Sequence, residues 1–95
     1  MNNRSISFEF EKKVANYVGA KYAVAVANGT AALHLTCMAL DLGEGDEVIS
    51  TPMTCTASNM PILAAGANII WADVDPVSGL ISVDSIKEKI STKTK

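Results

Sequence analysis

The chain has 95 residues, enough for one small domain that removes about 60–65% of its unfolded surface from water. An apolar fraction of 48% and a net charge of −2 describe an ordinary globular composition, and they exclude the basic field that nucleic acid or an anionic membrane surface would need. Cys37 and Cys55 are too few for a disulfide framework and lack C-x-x-C spacing, so they read as a reduced pair of small buried side chains; residues 1–7 are polar, without the apolar core of a signal peptide, so the reading is a cytoplasmic protein with no membrane span.

In chain order, Ser7 is a candidate N-cap with Glu9 and Glu11 in the first turn. Phe10, Val14 and Tyr17 recur at helical spacing until Gly19 stops the pattern. Glu9 and Lys13 stand one turn apart, as on a solvated face. Tyr22-Ala23-Val24-Ala25-Val26-Ala27 is short and almost wholly apolar, which predicts a strand buried on both faces. At Asn28-Gly29-Thr30-Ala31-Ala32-Leu33 the period changes at once from strand to helix. Such a joint leaves backbone N–H groups free at the positive end of a helix dipole, which suits a phosphate. Gly29 admits close approach and Thr30 adds a hydroxyl. The same residues also suit a plain helix cap, in which Asn28 or Thr30 only satisfies the first turn.

The second helix is expected from about Thr30 to Leu42, with Ala31, Leu35, Met38 and Leu42 inward and Gly43 as its stop. His34 and Cys37 are spaced like two metal ligands, but two ligands make no site and no matching pair occurs elsewhere. His34 therefore reads as a partly exposed structural residue, and no metal is expected. A turn at Glu44-Gly45-Asp46-Glu47 leads into a second short buried strand, Val48-Ile49-Ser50-Thr51, closed by Pro52, with residues 47–50 as its buried part. Residues 53–58 are polar and open a third helix that reaches Ala65 and ends at Gly66; Pro61 inside it requires a late start or a kink. Residues 68–72 form a third strand ending at Asp73-Val74-Asp75-Pro76. A turn at Ser78-Gly79 and a short segment over residues 80–82 precede a last helix, with Asp84 as cap and Val83, Ile86 and Ile90 inward.

Helices alternating with apolar strands imply a mostly parallel sheet covered on both faces, a three-layer α/β/α fold whose ligands bind outside the carboxyl ends of the strands. Residues 28–31, 52–56 and 73–75 all fall at such ends and are expected to converge on one edge.

Five segments then stand in register: Gly29-Thr30-Ala31-Ala32-Leu33, Gly43-Glu44-Gly45-Asp46-Glu47-Val48-Ile49, Thr51-Pro52-Met53-Thr54, Gly66-Ala67 and Asp73-Val74-Asp75. In order and spacing, from about Phe10 to the end, the chain closely resembles the DegT/DnrJ/StrS sugar aminotransferases. The resemblance implies the aspartate-aminotransferase-like fold of fold-type I enzymes dependent on pyridoxal 5′-phosphate. It implies transfer of an amino group from glutamate to a keto sugar carried on a nucleotide diphosphate, within the biosynthesis of cell-surface polysaccharide or secondary-metabolite sugars. It further implies that residues 1–95 are an N-terminal part of the large, cofactor-binding domain, with the rest of that domain and a smaller C-terminal domain absent, and that the complete enzyme is a homodimer.

Carried over residue by residue, the resemblance assigns Gly29, Thr30 and Ala31 to the cofactor phosphate, and Thr54 and Cys55 to the cofactor ring. Cys55 stands where the family usually has an aromatic side chain stacked on the pyridine ring, so a smaller, polarisable thiol takes that place. Asp73 and Asp75 read as loop and cap residues. No catalytic residue is assigned. The family's Schiff-base lysine, and the aspartate that pairs with the pyridinium nitrogen, belong to positions downstream. Lys12, Lys13, Lys21, Lys87, Lys89, Lys93 and Lys95 all lie in surface or terminal contexts. Thr92-Lys93-Thr94-Lys95 corresponds to the threshold of the next central strand. Catalysis by these residues alone is not expected, and unpaired strand edges are expected to make the chain marginal and prone to associate. Three alternatives accompany this reading. One is a sugar dehydratase of the same family with histidine in place of the lysine. Another is a glycosyltransferase holding a metal on Asp73-Val74-Asp75, and the last is a truncated product without enzymatic activity.

Overall fold

The computed structural model describes residues 5–95; Met1, Asn2, Asn3 and Arg4, part of the polar N-terminal stretch, lie outside the described residues. Helix α1 (Ile6–Val18) is capped by Ser5, not Ser7: the Ser5 hydroxyl accepts the Phe8 N–H at 3.4 Å. Gly19 closes the helix at φ 72°, the left-handed conformation that lets a helix end without a Cβ penalty.

The expected first strand does not form. Residues 22–26 carry no regular structure, and Tyr22 and Val24 are 77% and 69% exposed. A strand is defined by ladder bonds to a neighbour, and no neighbour lies beside this segment among the described residues. Apolar composition alone marks a segment built to be covered; it does not supply the cover.

Helix α2 (Gly29–Ala39) is shorter than its hydrophobic pattern. Leu40 is its C-cap and Asp41 turns left-handed at φ 52°, so the chain leaves the helix before Gly43. Its inward face also differs from the expected stripe. Met38 is 66% exposed and Leu35 is exposed, whereas Cys37 is buried. Because α2 is apolar on nearly every side, periodicity offered no means of choosing its packed face.

Strands β1 (Glu47–Ser50) and β2 (Asn68–Trp71) pair in parallel, Glu47 opposite Asn68 and Ser50 opposite Trp71. The crossover carries a 3-10 turn (Thr56–Ser58) and helix α3 (Met60–Ala64). Pro61 lies in the first turn of α3, where its missing N–H leaves no helical bond unmade, so the late start required by the sequence is observed. Helix α3 packs against α2 and β2. The small core joins Cys37, Ile62 and Ala67, flanked by Leu42, Val48, Ala65 and Ile69.

Helix α4 (Val83–Lys89) is capped by Ser82 rather than Asp84, the Ser82 hydroxyl accepting the Ser85 N–H at 3.2 Å. Its buried residue is Ser85; Val83 and Ile90, expected inward, are exposed. Beyond α4 the chain meets the free edge of β1. Lys93 and Lys95 exchange backbone hydrogen bonds of 2.9 Å with Glu47, a parallel bridge between Glu47 and Thr94. Residues 93–95 thus meet β1 through one isolated bridge and form no strand of their own. Among the described residues no helix is long and apolar enough to cross a membrane.

Candidate functional site

Parallel pairing brings the carboxyl ends of β1 and β2 to one edge, and with them residues 51–56 and 73–75. Helix α2 runs against the direction of β1. Leu33 and Thr36, from its middle, line a groove with Ser50 and Ser58. Beyond its C-terminal end, the Asp41 carbonyl accepts from Lys95 Nζ at 3.4 Å, and Lys95 also pairs with Asp46 at 3.3 Å just ahead of β1. The C-terminal end of α2 therefore lies near the start of β1, and the helix runs from there toward the carboxyl edge, where it also touches the 3-10 turn.

At that N-terminus Asn28 is extended (φ −165°, ψ 173°), and its Oδ1 accepts the Ala31 N–H at 2.8 Å. Asn28 is thus a true cap, and the Ala31 donor is engaged within the chain. The N–H groups of Gly29 and Thr30 and the Thr30 hydroxyl have no hydrogen-bond partner among the described residues. A Cβ at Gly29 would meet nothing within 4 Å, and its φ is not left-handed. Neither packing nor backbone strain among these residues calls for glycine there, whereas close approach of a ligand would. Two free N–H donors and a hydroxyl at the positive end of a helix have the chemistry of an anion cup.

The loop after β1 is held by Asn59, a residue the sequence reading missed. Its amide nitrogen donates to the Thr51 carbonyl at 3.2 Å while its oxygen accepts from the Ser50 hydroxyl. The available signal was its place: a lone amide side chain eight residues past the closing Thr51, immediately ahead of the Pro61-led helix. The Met53 N–H bonds the Thr51 hydroxyl at 3.1 Å, and the Thr54 and Ser58 hydroxyls lie 3.2 Å apart. Cys55 is exposed, not buried as expected, because it opens the 3-10 turn on the loop after β1; its carbonyl accepts the Ser58 N–H at 2.9 Å. The loop is therefore ordered by its own polar groups, with Thr54 and Cys55 on the same edge as the α2 N-terminus.

Asp73 and Asp75 build a turn. Asp75 Oδ1 accepts the N–H groups of Ser78 at 2.7 Å and Val77 at 3.0 Å, and these bonds, Ser78 first, hold its carboxyl below the ordinary value. The turn closes through Asp75 N–H to the Leu80 carbonyl at 2.8 Å, with Gly79 at φ 71°. The Asp73 N–H donates to the buried Ser85 hydroxyl at 2.9 Å. The Asp75 carboxylate is thereby engaged by its own backbone, as the loop-and-cap reading required. His34 is exposed while Cys37 lies in the core, and among the described residues no three potential metal ligands come together.

A parallel sheet whose strand ends, helix N-terminus and ordered polar loop meet at one edge defines an α/β protein with its ligand surface at the carboxyl ends of the strands. The family model of the DegT/DnrJ/EryC1/StrS aminotransferases matches residues 4–95, and the chain belongs to that family. It is 45% identical over 87 residues to GDP-perosamine synthase of Escherichia coli O157:H7, a match covering 92% of this chain and 24% of that protein. Among solved structures it is similar to the aminotransferase from Psychrobacter cryohalolentis, at 43% identity and a TM-score of 0.85 over 94% of this chain and 22% of that one. It is also similar to NtdA from Bacillus subtilis, solved with bound cofactor PMP, at 36% identity and a TM-score of 0.82 over 92% of this chain and 20% of that one. The fold is therefore that of the fold-type I aminotransferases, and the chain spans about a quarter of the length of the curated relatives it matches.

Proposed function

We propose that this chain is an N-terminal part of the cofactor domain of a cytoplasmic, homodimeric sugar aminotransferase. That enzyme uses pyridoxal 5′-phosphate and moves an amino group from glutamate to a keto sugar on a nucleotide diphosphate. The observation that carries the reading is the unpartnered donor set at Gly29 and Thr30, at the carboxyl edge and within the matched family segment. When bound, the cofactor supplies the electron sink that lets an amino group pass between an amino acid and a carbonyl compound. Gly29 and Thr30 hold its phosphate through two N–H groups and one hydroxyl, and Asn28 fixes the helix start that aims them. Thr54 and Cys55, on a loop braced by Asn59, form one wall beside the ring and keep water from that side. None of these residues carries a proton in the reaction, so the catalytic base lies elsewhere in the enzyme.

The test is a titration of the protein that carries this chain, freed of cofactor, with pyridoxine 5′-phosphate, which lacks the aldehyde and does not react with lysines. Shifts are expected at the Gly29 and Thr30 amides, and Thr30→Val should weaken binding by about 1–2 kcal/mol through loss of one charge-assisted bond. Titration without any shift at those two amides would refute the assignment. Aminotransfer is read as 2-oxoglutarate formed from glutamate in the presence of a nucleotide-linked keto sugar, by the protein that carries this chain.

A further inference from the structure

We infer that Glu11 is a positioning residue for the phosphate cup, an inference that rests on the reading of Gly29 and Thr30 given above. Residues 21–27 lead from α1 into that cup without any helix or strand of their own. Among the described residues they make one hydrogen bond: the Ala25 N–H donates to Glu11 Oε1 at 2.8 Å. Glu11 sits in the middle of α1, half-buried, in a groove it lines with Phe8, Ala15, Tyr22 and Ala23. It makes no ion pair among the described residues, so its carboxylate is directed at the backbone and not at a lysine.

Ala25 lies three residues ahead of Asn28. Asn28 caps α2 only while its own backbone is extended, and the direction in which the chain arrives decides whether it can be. A charge-assisted bond from a rigid helix to Ala25 fixes that direction. Glu11 thereby acts on the Gly29 and Thr30 donors through Asn28, without touching the ligand. The arrangement also covers one N–H of an apolar segment that has no ladder partner among these residues, a use of charge that guards such a segment against stray pairing.

Four forms of the protein that carries this chain, freed of cofactor, decide the matter: the natural sequence, Glu11→Ala, Glu11→Gln and Glu11→Asp. Each is titrated with pyridoxine 5′-phosphate at the Gly29 and Thr30 amides. Hydrogen exchange is followed at Ala25 and, as a folding control, at Cys37 and Ile62. Glu11→Ala should free the Ala25 amide and weaken binding about fivefold to tenfold, while Glu11→Gln, which keeps an acceptor at the same reach, should stay within about twofold of the natural chain. Glu11→Asp keeps the charge but is one methylene short, so it should behave like Glu11→Ala and serves where the latter fails to fold. Natural affinity in Glu11→Ala or Glu11→Asp, or an equal loss in Glu11→Gln and Glu11→Ala, overturns the role of Glu11 and leaves the phosphate reading standing. Absence of any shift at Gly29 and Thr30 in the natural chain overturns both.

Discussion

Replacing Asn28 by aspartate separates capping from ligand binding. The cap bond is an oxygen acceptor 2.8 Å from the Ala31 N–H, and aspartate supplies the same oxygen at the same reach. Asparagine and aspartate are equally good caps, and a negative charge at a helix N-terminus adds about 0.3–1 kcal/mol through the helix dipole, so α2 should be kept or slightly stabilised. A phosphate on the adjacent Gly29 and Thr30 donors meets the opposite result. Two phosphate charges and one carboxylate charge about 5 Å apart repel by about 1.7 kcal/mol even at the dielectric of water, roughly fifteenfold in affinity. The assay pairs a urea melt with a pyridoxine 5′-phosphate titration at low and high salt. Stability should be unchanged or higher while affinity falls, and the deficit should shrink in high salt as the charges are screened. A folded Asn28→Asp chain that binds as well as the natural one would show that the anion does not sit beside the cap, and the phosphate assignment would fail.

Further outcomes test other parts of the structure. Ile62→Ala empties the centre of the small core formed with Cys37 and Ala67 and should cost about 2–5 kcal/mol, read as a lower urea midpoint; a change under about 0.5 kcal/mol would mean the core packs differently. The Asp75 carboxyl is held below its ordinary value by the Ser78 and Val77 amides, so its contribution is present above the unfolded-state value near about 3.9 and is lost as pH falls through the lower folded-state value. Exchange of the Val77 and Ser78 amides should accelerate in that acid window, and the acceleration should vanish in Asp75→Asn. Cys55→Phe should preserve or tighten cofactor-analogue binding by adding a ring face at the loop; a large loss would show that the loop has rearranged around the thiol.

The helices and the strands β1 and β2, the late start of α3 at Pro61 and the closures at Gly19 and Gly66 were legible in the residues, because each follows from a local rule. Proline in a first helical turn, glycine at positive φ and short β-branched runs need no distant partner to be recognised. The helix start at Asn28-Gly29-Thr30 was legible for the same reason: a strand-like run changing period there is a local event. What tertiary structure decided was everything that depends on a partner. Residues 22–27 have strand composition, yet among the described residues no strand lies beside them to complete a ladder, and the segment is held by Glu11 instead. Helix α2 is apolar around most of its circumference, so only the arrival of α3 and β1 selected Cys37 over Leu35 and Met38 as its packed side. Asn28 and Thr30 were equal candidates for the cap until the backbone placed the Asn28 oxygen on Ala31 and left the Thr30 hydroxyl free. Periodicity determines which residues need burial; which of them obtain it, and which donors remain free, is settled by the surfaces that meet.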